Sequence, residues 1–313
     1  LVSFFAIIGT FPLMMLYFNQ VSTVGFLVNL LIIPMVGFMV IPLGLVSVVL
    51  SPLSVTGASI LLNVSAAILS VALNIITFFS KLPFAAVKTV TPSFFEITCF
   101  YLVFWAILNI KDQNAPSGFG WWKKFMSKKR LAQAAVVIVI VAGGVDVFYW
   151  LNHRFWHRDF RVTIIDVGQG SAALLELPGG YNLLVDGGGF SDPTAFDVGA
   201  NIVAPFLWRK KIKTVDTLVL SHPNSDHMNG LLYIARYFNV KNVWSTGESS
   251  SVLNYHKFRK IIETKDIQLT RFKPLLQTQH INGVQFKILY PPSDFINRKK
   301  QKNGEIITII HWF

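Results

Sequence analysis

The stretch Thr214–Gly230, TVDTLVLSHPNSDHMNG, decides the fold of the C-terminal half of this chain. Its first seven residues predict a buried strand, and the polar residues after them lead into a helix from about His227. A buried strand fixes the backbone at its end, so side chains on the loop beyond it are held at little entropic cost, as a metal site requires. Imidazole, amide and carboxylate groups bind divalent ions. We therefore predict a site for zinc, manganese or magnesium with His222, Asn224, Asp226 and His227 as ligands.

Strand and helix patterns alternate on both sides of this stretch. Short apolar and β-branched runs predict strands, and longer amphipathic runs predict helices. The predicted strands cover residues 162–166, 172–177, 181–185, 242–244 and 284–289, and the predicted helices cover 197–208, 227–238 and 252–264. This order predicts a βαβ-rich α/β domain over residues 162–313.

The spacing His222-x-Asn224-x-Asp226-His227 resembles the first metal motif of the metallo-β-lactamase superfamily, His-x-His-x-Asp-His, with an amide in place of the middle histidine. Asp186, which precedes three glycines at the end of a predicted strand, resembles the Asp-Gly-Gly element of the same superfamily. The resemblance implies an αββα fold in which the Asp186 carboxylate orients the metal loop. An amide binds metal more weakly than an imidazole and suits magnesium or manganese better than zinc.

A second set of motifs resembles the ComEC-type DNA-internalisation competence proteins. Asp166–Gly170 (DVGQG) is similar to the opening element of their soluble domain, with Ser171 where an acidic residue usually follows, and Ile41–Leu45 (IPLGL) is similar to their membrane domain. The resemblance implies a channel that imports single-stranded DNA in natural transformation, with an outer domain that hydrolyses or guides one strand. It also implies other competence proteins as partners. In such a nuclease Asp226 receives or directs the proton of the attacking water. The family's remaining ligands lie beyond Phe313, so we expect a C-terminally incomplete domain that is inactive alone.

The N-terminal part has the composition of a membrane domain. Residues 1–80 contain no Asp, Glu, Lys or Arg, which excludes a water-exposed surface there. Pro34, Gly37, Pro42 and Gly44 interrupt one apolar stretch, so we expect either a kinked packing helix or a helix that lines a pathway. Five stretches are long enough, or nearly so, to span a bilayer: 1–18, 24–50, 55–79, 93–110 and 131–151. We predict a polytopic helical domain over 1–110 and a further span at 131–151.

The loop 111–130 sets the predicted orientation. It holds six Lys and Arg against one acidic residue, Asp112, so the positive-inside rule places it in the cytoplasm and the domain after the last span outside. The chain begins at Leu1 without a methionine or a basic segment, so we expect it to be part of a longer protein. The single cysteine, Cys99, excludes a disulfide within one chain. The expected location is the bacterial inner membrane, in contact with lipid, with a homo-oligomer as one option.

Several alternatives stay open. The two histidines also fit the start of a helix whose polar neighbours cap it. The basic run Arg209, Lys210, Lys211 and Lys213 fits contact with DNA phosphates or a solvated face, and so does the run at 298–302. One alternative function is a membrane-tethered hydrolase of a small ester or nucleotide, although five predicted spans exceed what an anchor needs. Another is an inactive domain that only guides the strand.

Overall fold

The computed structural model describes residues 2–110, 128–192, 196–245, 250–271, 278–290 and 307–312. The chain divides into two compact units, Leu1–Thr91 and Pro92–Phe313. Most of the predicted loop 111–130 and all of the basic run 298–302 lie outside the described residues.

The first unit consists of apolar helices and one short pair of strands. The helices are α1 (Val2–Phe18), α2 (Gly25–Met35), α3 (Ile41–Leu50) and α4 (Val55–Ser80). The strands β1 (Gln20–Ser22) and β2 (Ala86–Lys88) pair antiparallel. The Ser54 side chain accepts a hydrogen bond from the Gly57 N–H and so caps the start of α4.

The stretch that carries Pro34 and Pro42 is a continuous helix. Between α2 and α3 the chain forms a π-helical segment, Val36–Val40, and Pro42 follows it as the second residue of α3. The Ser65 hydroxyl of α4 donates to the Val40 carbonyl at 3.0 Å. A neighbouring side chain thus satisfies a carbonyl of the widened turn, which is how membrane helices tolerate proline.

Three helices within the described residues are long and apolar enough to cross a bilayer. They are Gly25–Leu50, Val55–Ser80 and Lys129–Trp156, whereas Ser3–Phe18 and Phe94–Asn109 are shorter apolar helices. Length and composition alone therefore support membrane spans at three of the five predicted positions.

The second unit begins with two apolar helices and continues into a mixed sheet. Helix α5 (Phe94–Asn109) and helix α6 (Lys128–Leu151) precede a π-helical turn, Asn152–Trp156. The strands of the sheet are β3 (Arg161–Ile164), β4 (Ala173–Leu177), β5 (Tyr181–Val185), β6 (Thr214–Leu220), β7 (Asn239–Ser245) and β8 (Gln268–Arg271). They lie in sequence order; β3, β4 and β5 pair antiparallel, and β5 to β8 pair parallel. Helices α7 (Ala204–Arg209), α8 (Ser225–Tyr237) and α9 (Leu253–Thr264) connect the parallel strands.

A second sheet packs against one face of the first. It has the order β11-β10-β9, formed by β9 (Gln279–Ile281), β10 (Val284–Tyr290) and β11 (Ile307–Trp312). Val284 and Phe286 of this sheet join a buried cluster with Leu175, Leu177, Leu183, Val219 and Trp244 of the large sheet. Because side chains alternate along a strand, Leu174, Leu184 and Leu218 point to the opposite face. The predicted α/β class of the C-terminal half is confirmed.

The prediction for the start of α8 was wrong by two residues. The helix begins at Ser225 and not at His227, with Asn224 in extended backbone at the N-cap. Asn, Ser and Asp are favoured at a helix start, and the Asp226 carboxylate suits the positive end of the helix dipole. Asp226 and His227 therefore lie on the first helical turn and not on the loop.

Candidate metal centre

Three side chains converge where β6 ends and α8 begins. The ligand atoms of His222, Asp226 and His227 all lie within 4.8 Å of one another, and the two imidazole centroids are 4.0 Å apart. His222 is buried, whereas the Asp226 side chain is 40% exposed. The cluster therefore has one wall in the protein and one side open to a substrate.

Asp186 holds this cluster from the end of β5. Its Oδ1 accepts a hydrogen bond from the Ser221 N–H at 2.9 Å, and its Oδ2 accepts from the Ser221 hydroxyl at 2.7 Å. Oδ2 also lies 2.7 Å from His227 Nδ1, and a carboxylate only accepts, so the imidazole donates there. Asp186 is buried, and its backbone adopts the left-handed conformation, with φ 55°. A strained backbone that is held by this many bonds is typical of a functional position.

The hydrogen bonds also fix the tautomers of both histidines. The Ser221 hydroxyl has one proton, which goes to Asp186, so toward His222 Nδ1 at 3.0 Å the oxygen acts as acceptor. Both imidazoles then carry their proton on Nδ1 and present Nε2 as the ligand atom. His227 Nε2 lies 3.6 Å from Asp226 Oδ2. Two imidazole nitrogens and one carboxylate oxygen form a donor set that fits a divalent ion.

Two serines complete the hydrogen-bond network. Ser221, which the sequence analysis did not select, contacts both Asp186 and His222. In the sequence, only its position between a buried strand and a histidine indicated that Ser221 could belong to the site. Ser171 places its hydroxyl 3.1 Å from His227 Nδ1 and 3.4 Å from Asp186 Oδ2.

The glycines of the two motifs let the site helix approach the sheet. The Gly187 N–H donates to the His227 carbonyl at 2.7 Å, and a Cβ on Gly230 would lie 1.9 Å from the Gly187 oxygen. In the DVGQG segment, a Cβ on Gly170 would lie 1.7 Å from the carbonyl oxygen of Asp226. Both motifs are therefore packing surfaces for the first turns of α8.

Asn224, the fourth predicted ligand, stands at the N-cap of α8. Its side chain is exposed and makes no capping hydrogen bond. The structure places it between His222 and Asp226 along the chain, and its role as a ligand stays a prediction.

The basic run at the end of α7 divides into paired and exposed members. Lys210 Nζ lies 2.6 Å from Glu176 Oε2, and Lys211 Nζ lies 2.5 Å from Glu96 Oε2. Arg209 and Lys213 are exposed. Ion pairs within the protein account for Lys210 and Lys211. Contact with DNA stays a prediction, and the exposed Arg209 and Lys213 are better placed for it.

A cavity of about 150 Å³ begins beside Asn229, one helical turn beyond Asp226, and follows α8. Arg236 and Lys257 contribute positive charges, and Phe196 and Tyr237 contribute exposed rings. Burial, with smaller contributions from Tyr237 and Asp197, raises the pKa of the neighbouring Tyr233 to about 12. The cavity combines two cations and the Asp197 carboxylate with exposed aromatic rings.

Comparison with known proteins defines the class of the chain. Residues 1–113 match the family model described as "Competence protein", and residues 165–307 match "Metallo-beta-lactamase superfamily". The chain therefore has a competence domain followed by a metallo-β-lactamase domain.

One relative is ComE operon protein 3 of Bacillus subtilis (strain 168), to which this chain is homologous. The two are 23% identical over 298 residues, which cover 91% of this chain and 34% of that protein. The chain thus spans about a third of the length of the curated relative that it matches here. The resemblances to the competence proteins and to the metallo-β-lactamase superfamily are confirmed. The ligand set that they imply stays a prediction.

Two solved structures are also similar. A diphosphatase from the PhnP family has a TM-score of 0.32 and 14% identity, over 48% of this chain and 61% of that chain. CmlA, a diiron β-hydroxylase from Streptomyces venezuelae, has a TM-score of 0.29 and 16% identity, over 50% of this chain and 28% of that chain.

Proposed function

We propose that this chain is part of a bacterial inner-membrane channel that imports single-stranded DNA, and that its soluble domain holds a divalent ion which acts on one strand. The observation that carries the proposal is the convergence of His222, Asp226 and His227, oriented by Asp186, in a chain that also contains apolar helices of spanning length. The competence and metallo-β-lactamase matches support the same combination.

The residues of the cluster have distinct roles in this proposal. His222 and His227 bind the ion through Nε2, and Asp226 binds it through its carboxylate, with the amide of Asn224 as the expected fourth ligand. When bound, the ion lowers the pKa of water and polarises a phosphodiester. Asp186 keeps the His227 proton on Nδ1, and the exposed Asp226 carboxylate accepts the proton that the attacking water releases. Manganese is the proposed ion, because it accepts both imidazole and hard oxygen ligands.

The cavity along α8 is the proposed path of the strand. Arg236 and Lys257 neutralise phosphates, and Tyr237 and Phe196 stack against bases, a combination that binds single strands with little sequence preference. Replacing both cations with alanine should weaken binding and reduce the salt dependence of the affinity by roughly 1.4 in the log–log slope, at about 0.7 per phosphate contact. Arg259, which pairs with Glu263 on the same helix as Lys257, is the matched control. An unchanged slope in the double variant would exclude this path.

The proposed orientation follows from the loop 111–130, which lies in the cytoplasm and places the soluble domain outside. Residues 1–110 form the proposed membrane domain, 131–151 the last span and 162–313 the soluble domain. Single-stranded DNA, membrane lipid and other competence proteins are the proposed partners, and self-association is a further option.

Metal-dependent cleavage tests the nuclease role. Because the chain is expected to be inactive alone, the full-length protein is purified in detergent and incubated with end-labelled single-stranded DNA and Mn²⁺. The same assay is run on His227→Ala and, as control, on His256→Ala, whose residue is exposed on α9. We expect cleavage that needs Mn²⁺, is lost in His227→Ala and persists in His256→Ala. Cleavage that is equal in all three proteins would refute the assigned site.

A second candidate is a domain that guides the strand without cleaving it. Asn224 and Ser171 favour this candidate, because each is a weaker group than the one that the family motif carries at its place. In the same experiment it predicts strand binding with no products in the presence of Mn²⁺.

A further inference from the structure

One face of α4 carries polar side chains along its whole length. At 100° per residue they fall within an arc of about 60°. We call this the polar stripe, and all six members are exposed: Thr56, Ser59, Asn63, Ser70, Asn74 and Thr77. Such a stripe on a helix that is apolar enough to span a bilayer is unusual, because hydrocarbon offers no hydrogen-bond partner.

The polar stripe is not the face with which α4 packs in this unit. Ala58, Ser65 and Ala72, one every seven residues, are the buried residues of the helix and lie on the opposite side. The Ser65 hydroxyl bonds to the Val40 carbonyl, and Ala58 receives a bond from the Ser47 hydroxyl of α3. Close packing through small residues already occupies that side.

The carboxamides are the costly members of the stripe. Within the part of the chain that the structure describes, the side chains of Asn63 and Asn74 make no hydrogen bond, whereas Thr77 bonds back to the Leu73 carbonyl at 2.8 Å. A carboxamide loses its water partners in hydrocarbon and gains nothing in return. Asn63 and Asn74 therefore need a polar environment at two depths in the bilayer.

The length of the stripe distinguishes water from a protein partner. From Thr56 to Thr77 the helix rises about 31 Å at 1.5 Å per residue, which matches a hydrocarbon thickness of about 30 Å. A contact with another helix needs hydrogen bonds at one or two positions, but a column of water needs polar groups at every depth.

We infer that the polar stripe of α4 lines a hydrated passage across the membrane. Residues 1–80 carry no charged side chain, so the wall formed by the stripe is polar and neutral. A polyanion that passes along it makes weak contacts at many positions and is readily released from each. Only the identity of the cargo rests on the proposed function; the hydration of the passage does not.

Cysteine labelling tests the passage without reference to DNA. The variants are made in a Cys99→Ser background of the full-length protein and are labelled in the host membrane. Asn63→Cys is paired with Leu62→Cys, and Asn74→Cys with Leu73→Cys, because each leucine lies at nearly the same depth as its asparagine. Both leucines are exposed, by 56% and 54%, but lie outside the stripe. The probe is a charged, membrane-impermeant methanethiosulfonate, which reacts with the thiolate, and a thiol ionises in water and not in lipid.

We expect each stripe cysteine to react at least tenfold faster than its paired neighbour. Equal rates within the pairs would overturn the inference. So would unreactive stripe cysteines that cross-link between two copies on oxidation, because the stripe would then be a protein interface. Ser70→Cys, which is nearly isosteric, repeats the measurement if an asparagine variant is absent from the membrane.

Adding single-stranded DNA under conditions of uptake separates the passage from its cargo. Protection of Asn63→Cys and Asn74→Cys supports DNA as the cargo. Unchanged labelling at hydrated positions supports the passage and counts against DNA, so the two proposals fail separately.

Discussion

Alanine at Gly170 should damage the metal centre although the residue is no ligand. Gly170 has φ 88°, and a Cβ there would lie 1.7 Å from the Asp226 carbonyl oxygen and 2.9 Å from the Asp226 Cβ. Contacts under 3.0 Å are essentially never made by a real Cβ, so the two backbones must separate by at least 1.3 Å, the difference between 3.0 and 1.7 Å. Asp226 would move by a similar distance, far beyond the roughly 0.2 Å tolerance of a metal ligand.

Gly168 provides the matched control two residues away. It is also left-handed, with φ 75°, but a Cβ there would meet only a Phe190 ring carbon at 4.0 Å. The backbone penalty of about 1–2 kcal/mol is therefore common to both variants. Gly170→Ala adds an overpacking cost of about 1–3 kcal/mol, for a total of roughly 2–5 kcal/mol.

The two variants are compared by Mn²⁺ titration calorimetry and by thermal unfolding of the chain in detergent. We expect Gly168→Ala to lose a little stability and to keep its metal affinity. For Gly170→Ala we expect a larger loss of stability and a metal affinity reduced by at least about tenfold, the scale on which displaced supporting contacts act. The reasoning would be refuted by a Gly170→Ala protein that matches Gly168→Ala in both measurements.

Three further predictions concern other contacts. Asp186→Asn should weaken Mn²⁺ binding by about 10–100-fold in a calorimetric titration, because the amide nitrogen cannot accept the hydrogen bonds of the carboxylate oxygen that it replaces. Asp166→Asn, at an exposed residue that makes one local bond, should leave the affinity unchanged. Equal affinities of the two variants would contradict the orienting role of Asp186. Because the pKa of Tyr233 is raised to about 12 in the folded protein, this tyrosine ionises first in the unfolded chain, and stability falls between pH 10 and about 12. In Tyr233→Phe the decrease in thermal midpoint from pH 9 to 11 should therefore be smaller than in the parent protein. An identical decrease would argue against the burial of Tyr233. Ser65→Ala should destabilise the helical unit by about 0.6 kcal/mol in a detergent unfolding assay, because it removes the hydrogen bond to the Val40 carbonyl. Ser59→Ala, on the opposite face, should leave the stability unchanged. A larger loss of stability in Ser59→Ala than in Ser65→Ala would contradict the packing of α4.

The sequence predicted the parts of the fold that depend on periodicity and on local chemistry. The strand Thr214–Leu220 was predicted to the residue, because its apolar run is bounded by polar residues on both sides. The strand Tyr181–Val185 follows from the Pro-Gly-Gly turn before it and the Asp-Gly-Gly element after it. Both motifs that were compared with the metallo-β-lactamase superfamily lie at the same end of the sheet, as consecutive parallel strands require.

The remaining features depend on contacts between segments distant in the chain. The role of Ser221 depends on the position of its hydroxyl between Asp186 and His222, which no local sequence pattern predicts. The packing role of the DVGQG element could not be predicted, because the closeness of Gly170 to Asp226 is a tertiary contact. The prolines and glycines left a kinked packing helix and a pathway-lining helix open. The π-helical segment and the hydrogen bond from Ser65 could not be predicted from them.

The most direct test of the metal centre is X-ray absorption spectroscopy on the chain loaded with one equivalent of Mn²⁺. We predict the multiple-scattering signal of two imidazoles with the remaining ligands oxygen, and one imidazole in His222→Ala. A spectrum with no imidazole signal, or one that His222→Ala leaves unchanged, would contradict the assignment of the ion to His222, Asp226 and His227.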